Sequence, residues 1–188
     1  MANYKTAESI TGLNEGLYAN NPADTGGETW AGISRNNWPS WIGWKKIDAI
    51  KANYGKSAAI INKYGKQDDV LHSLVSNFYK QNFWDVNRLD AITDQQLANT
   101  VYDFGVNSGT GRAAKFLQQA ANDTGLVNLV VDGAVGVKSI AAINSLNPQN
   151  VHTNYNRRRK AFYESIAVGS QKQFLKSWLS RLKDYKPC

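Results

Sequence analysis

Cysteine and histidine are nearly missing from this chain of 188 residues. One thiol, Cys188, stands at the last position, and one thiol excludes both an internal disulfide framework and a cysteine-based zinc site. Paired with a histidine it would make a poor nucleophile, because a chain end frays too easily to be positioned. His72 and His152 lie far apart without an HxxxH spacing, which argues against metal catalysis and against a serine–histidine–aspartate system. No metal and no cofactor are expected. No apolar run reaches the roughly 20 residues that span a bilayer, so membrane insertion is not expected. The stretch Met1–Glu8 carries no apolar core behind a basic end, and the reading is a chain without its own secretory signal.

Acidic residues are also the minority, 15 against 22 Lys+Arg, for a net charge of +7. The excess gathers late, at Arg157-Arg158-Arg159-Lys160, Lys172, Lys176, Arg181, Lys183 and Lys186. Such a surface favours polyanions, nucleic acid or anionic envelope polymers, or is simply a solvated helix face. No helix-turn-helix or other recognition signature accompanies the charge, so nucleic acid is not expected as a partner.

What is plentiful is helical patterning. Ala7, Ile10, Leu13 and Leu17 mark one face of a first helix. Residues 44–54 and 58–64 read as helices stopped at Gly55 and Gly65. Val70, Leu71, Leu74, Val75, Phe78 and Tyr79 form an amphipathic stripe. Thr93 with Gln96 reads as a capping box opening a helix that ends near Gly109. Further helices are expected over 110–122, 137–146, 148–167 and 170–185. Leu126–Val131 is the best strand candidate and Thr29–Ser34 a weaker one.

The chemistry concentrates between Glu15 and Ser34. Glu15 closes the first helix, Asp24 follows in a loop rich in Asn, Pro and Gly, and Thr29 comes five positions later, before Trp30. Cleaving a glycosidic bond needs a proton for the departing oxygen and a second group for water or for the cationic sugar. A rigid Glu15 near Leu13 and Leu17 suits the first task, because apolar surroundings raise a carboxyl pKa. A wetter Asp24, with Thr29 orienting water, suits the second. The spacing does not divide that role between Asp24 and Glu28. Gly26 and Gly27 allow backbone to approach a ligand, and Tyr18 and Trp30 offer flat faces to sugar rings. The same residues also fit a surface carboxylate followed by a capped turn.

Glu15-Gly16-x-Tyr18, Asn21-Pro22-x-Asp24-x-Gly26-Gly27-x-Thr29 and Gly32-Ile33 resemble the signature of the glycoside hydrolase 108 family of N-acetylmuramidases, which includes phage endolysins. Leu17 replaces a customary glycine and Asn21 a customary aspartate. The segment is also similar to the active-site stretch of phage-type lysozymes, an analogy that leans towards inversion. Asp103-Phe104-Gly105-Val106-Asn107-Ser108-Gly109, Leu117-Gln118-Gln119-Ala120, Asp132-Gly133-x-x-Gly136 and the tail from Arg159 to Leu182 resemble the peptidoglycan-binding region that follows in that family.

The resemblance implies a mainly α, lysozyme-like helical fold with at most a small β element. It implies a catalytic region over 1–92 and a helical peptidoglycan-binding-like region over 93–188, packed into one body. It implies hydrolysis of the β-1,4 bond between N-acetylmuramic acid and N-acetylglucosamine, with Glu15 as general acid, Asp24 and Thr29 assisting, and Tyr18, Gly26, Gly27, Trp30 and Asn107 binding substrate. Two alternatives stand beside it: a lytic transglycosylase, and a binding module without catalysis. Peptidoglycan is the expected partner, reached from the cytoplasm through a holin or a secretion pathway.

Overall fold

The computed structural model describes residues 1–11, 18–20 and 27–186. Among them the protein is mainly α, with one small antiparallel sheet. The chain falls into two compact units, residues 8–81 and residues 82–188 joined by 1–7.

The first helix, α1 (Tyr4–Thr11), bears the expected apolar spacing at its start, where Ala7 is fully buried, while Ile10 is exposed. Leu13 and Leu17 lie outside the described residues.

In the unit of residues 8–81, β1 (Ala19–Asn20), β2 (Glu28–Trp30) and β3 (Ile33–Ser34) form the sheet. Ala19 pairs with Thr29, Asn20 with Glu28, and Trp30 with Ile33. Thr29–Ser34 is therefore two strands rather than one. The chain reverses at Ala31 and Gly32, both at positive φ (48° and 78°), the geometry that matches strand twist in a two-residue hairpin. A Cβ on Gly32 would stand 2.7 Å from the Tyr79 hydroxyl. That hydroxyl donates to the Ala31 carbonyl at 2.8 Å, fastening the turn to a helix. Three helices follow: α2 (Gly43–Tyr54), α3 (Ala58–Gly65) and α4 (Asp69–Tyr79). Ser57 and Asp68 accept the first free N–H groups of α3 and α4, from Ile60 and Leu71. Leu71, Val75, Phe78 and Tyr79 of the α4 stripe are buried; Val70 is exposed.

In the other unit, α5 (Gln95–Ser108), α6 (Thr110–Asn122), α7 (Val137–Asn144) and α8 (Pro148–Ile166) are the main helices, followed by the short α9 (Leu175–Leu179). Phe104 sits at the centre, stacked on Phe116 and met edge-on by Tyr155, Phe162 and Tyr163. Tyr4 packs edge-on against Trp84 and Tyr102, which ties the N-terminus into this unit.

The structure departs from the expected elements at three places. The cap of α5 is Asp94, whose carboxylate accepts from Leu97 N–H at 2.7 Å. Thr93 instead meets the Asn144 side chain through its amide and hydroxyl. An ionised side chain one residue nearer the helix outcompetes the hydroxyl for that cap. Leu126–Val131 is not a strand: Asn122 bonds both the N–H and the C=O of Leu129. A polar side chain thus takes the backbone groups that a ladder would have used. Finally, 170–185 is not one helix but a 3-10 segment over Gly169–Phe174, then α9, then irregular chain.

Candidate active site

Glu15, Asp24 and Gly26 lie outside the described residues, so the candidate site is defined here by what flanks them. Asn20 and Glu28, the paired ends of the β1–β2 ladder, bracket the segment that contains Asp24 and Gly26. Thr29 lies within that ladder, half-buried, its hydroxyl donating to the Ala19 carbonyl at 3.4 Å. Strand alternation turns Thr29 to the opposite side from Glu28 and Trp30. Gly27 holds φ +63°, and a Cβ there would meet the Asn36 side-chain amide at 2.7 Å. The close approach that this glycine permits in the structure is to Asn36.

Beside the ladder sits a cluster of charges. Glu28 pairs with Arg35 Nε at 2.7 Å through one oxygen and with Lys51 through the other. Its side chain is only 11% exposed. Arg35 also grips Asp48 with both terminal nitrogens, at 3.0 and 2.6 Å, and its guanidinium lies over the Trp44 ring. That bidentate bond pulls the Asp48 pKa below the usual carboxylate range, against the opposing effect of burial. Two carboxylates face two cations, so the charges of the cluster balance. Tyr18 joins it: burial, then the hydrogen bond to Glu28, push its pKa up. Lys51 stands over the Tyr18 ring, and the Tyr18 amide donates to Asn62 at 2.7 Å. The structure thus brings Tyr18, Gly27, Glu28 and Thr29 together.

Trp30 faces inward. It is 3% exposed and part of the core of its unit. Asn107 lies in the other unit, near the end of α5, where its amide donates to the Asp103 carbonyl and carboxylate. Asp103 also receives Arg159 at 2.6 Å and Arg181 at 2.7 Å. Arg157 and Arg158 are paired with Asp123. Much of the basic run therefore meets carboxylates of its own unit instead of standing as a bare cationic face.

The ion-paired cluster was not anticipated from the sequence, since Arg35, Asp48 and Lys51 share no local motif. A second feature was also missed. Tyr-Gly-Lys occurs twice, at 54–56 and 64–66, and it places two tyrosines at the ends of neighbouring helices. Among the described residues no cluster of His, Cys, Asp and Glu is arranged to hold a metal ion, and no helix is long and apolar enough to cross a membrane.

Comparison with known proteins bears on both halves. The family model described as Glycosyl hydrolase 108 matches residues 9–109, and the one described as Predicted Peptidoglycan domain matches residues 112–183. No curated protein matches the chain. Among solved structures it is similar to SagA of Brucella abortus, with a TM-score of 0.63 and 23% identity over 95% of this chain and 88% of that one. At that identity the likeness is one of fold.

Proposed function

The chain belongs to the glycosyl hydrolase 108 family and is a glycoside hydrolase acting on peptidoglycan; from that premise we propose that it is an N-acetylmuramidase, cutting the β-1,4 bond between N-acetylmuramic acid and N-acetylglucosamine with Glu15 as general acid. The departing sugar oxygen cannot leave as an alkoxide at neutral pH, so a carboxyl group must hand it a proton. The second role, holding water or countering the positive sugar, goes to Asp24 with Thr29. Glu28 is a poor candidate for either role, because both of its oxygens are committed to cations. Its task is to fix the ladder that carries Thr29. The region over 93–188 serves to hold the wall.

The observation that carries this reading is the match over residues 9–109, which contains Glu15, Asp24 and Thr29 in order. The half-buried hydroxyl of Thr29, anchored in the ladder at the edge of the same segment, supports it. The test is release of soluble fragments from purified cell walls by Glu15→Gln, with mass spectrometry of the products. Loss of release, and reducing muramic ends from the parent protein, are expected. Near-normal release by the variant removes Glu15 from the mechanism, and anhydromuramyl ends replace hydrolysis with transglycosylation.

A further inference from the structure

An open groove of about 420 Å³ runs over α2, α3 and the start of α4, lined by Lys46, Ile50, Tyr54, Tyr64, Asp68 and Val70. Its size falls in the range of small-molecule sites, roughly 300–1,000 Å³. Tyr54 and Tyr64 stack with ring centroids 3.8 Å apart and planes within 14° of parallel. Tyr54 is 53% exposed, so the stacked pair still meets water. An aromatic face of this kind binds a flat, weakly apolar face presented by a ligand whose edges are polar.

The rim is polar. Lys46 pairs with Asp68 at 3.1 Å. Asp68 also caps α4 through Leu71 N–H, so it is held from two sides. Burial pulls the Asp68 pKa upward, but the Leu71 amide and the Lys46 ammonium outweigh it and hold the pKa below the usual range. An ammonium has three donors, and the ion pair leaves Lys46 with others to offer. Gln67 and Asp69 add an amide and a carboxylate beside it. Ile50 and Val70 supply apolar lining.

An aromatic face, donors and acceptors at its edge, and an apolar lining together match an N-acetylated hexosamine. The ring's C–H face would lie on Tyr54, its hydroxyls on Lys46, Gln67 and Asp69, and its acetamido methyl on Ile50 and Val70. A nucleic acid would also stack on tyrosine, but its phosphates would meet Asp68 and Asp69. We propose that the Tyr54–Tyr64 groove is a subsite for one N-acetylhexosamine ring of a glycan strand. The choice of glycan rests on the reading of the protein as a glycan-cutting enzyme.

The test is calorimetric titration of the full chain with a linear tetramer of N-acetylglucosamine, in a Glu15→Gln background so that turnover does not consume the probe. Tyr54→Ala is expected to weaken binding about tenfold or more, from loss of the stacking face. Tyr54→Phe should stay within twofold of the parent. Val70→Asp, a change at an exposed position that leaves folding intact, should weaken binding several-fold by charging the apolar lining. Binding by Tyr54→Ala and Val70→Asp within twofold of the parent overturns the proposal. So does Tyr54-dependent binding of a sugar-free stem peptide in place of the tetramer. Because binding is read without turnover, the two readings fail separately. Tyr54-dependent binding by a protein that does not cut walls keeps the groove and sinks the muramidase. Cutting without Tyr54 dependence does the reverse.

Discussion

The two units use paired charge differently. In residues 8–81, Glu28, Arg35, Asp48 and Lys51 neutralise one another beside a sheet of two- and three-residue strands. A ladder that short has few hydrogen bonds of its own, and an isolated hairpin is marginal in water. Ion pairs and the Tyr79 anchor hold it in place. In residues 82–188, long helices bury an aromatic core, and one guanidinium, Arg159, enters it at 1% exposure. Arg159 lies over the rings of Phe104 and Tyr163 and pairs with Asp103. Charge in the first unit steadies a small ladder whose strands flank Asp24 in the sequence. In the second, charge ties α5 to α8 and to the chain after α9.

The comparison breaks most sharply at Glu15. Glu15→Gln should lower wall hydrolysis by about 100-fold or more, the contribution of a positioned acid. Retention of that variant on insoluble walls in a pelleting assay should stay within twofold, because the proposed wall-holding region lies in the other unit. Next comes Asp103→Ala, which strands Arg159 in the core without its carboxylate. A loss of about 3 kcal/mol in denaturant unfolding is expected for an uncompensated buried charge. Tyr79→Phe removes one buried hydrogen bond at the hairpin turn and should cost about 1 kcal/mol.

The smallest effect concerns His152, buried against Thr100 and the ring of Tyr185. Burial, helped by the charge of Arg159, holds its pKa below the usual 6.5, although Asp94 and Asp184 pull the other way. As pH falls, the unfolded chain takes up this proton before the folded one, so stability drops as pH passes below about 6.5. His152→Gln should flatten the melting temperature between about pH 6.5 and 5. An unchanged slope would assign the acid sensitivity to other groups.

Much of the helical framework was legible because its signals are local. The Gly55 and Gly109 stops and the stripe of Leu71, Val75 and Phe78 need nothing beyond their own helix. The errors arose where a neighbour in space intervened. Leu126–Val131 has strand composition, yet the Asn122 side chain holds its backbone. Trp30 looked like a platform for sugar and sits in the core, while Tyr54 and Tyr64, ten residues apart, form the exposed one.

The mainly α character, the order of most helices and the resemblance of the run from Glu15 to Thr29 to a glycoside hydrolase signature are all readable along the chain. Periodicity and a short motif are properties of contiguous residues, and they survive without a partner. That Glu28 is occupied by two cations, that Arg159 is an internal charge, and that two tyrosines stack are facts of long-range packing. Those facts depend on which side chains meet after the chain has turned back on itself, and no local spacing encodes that.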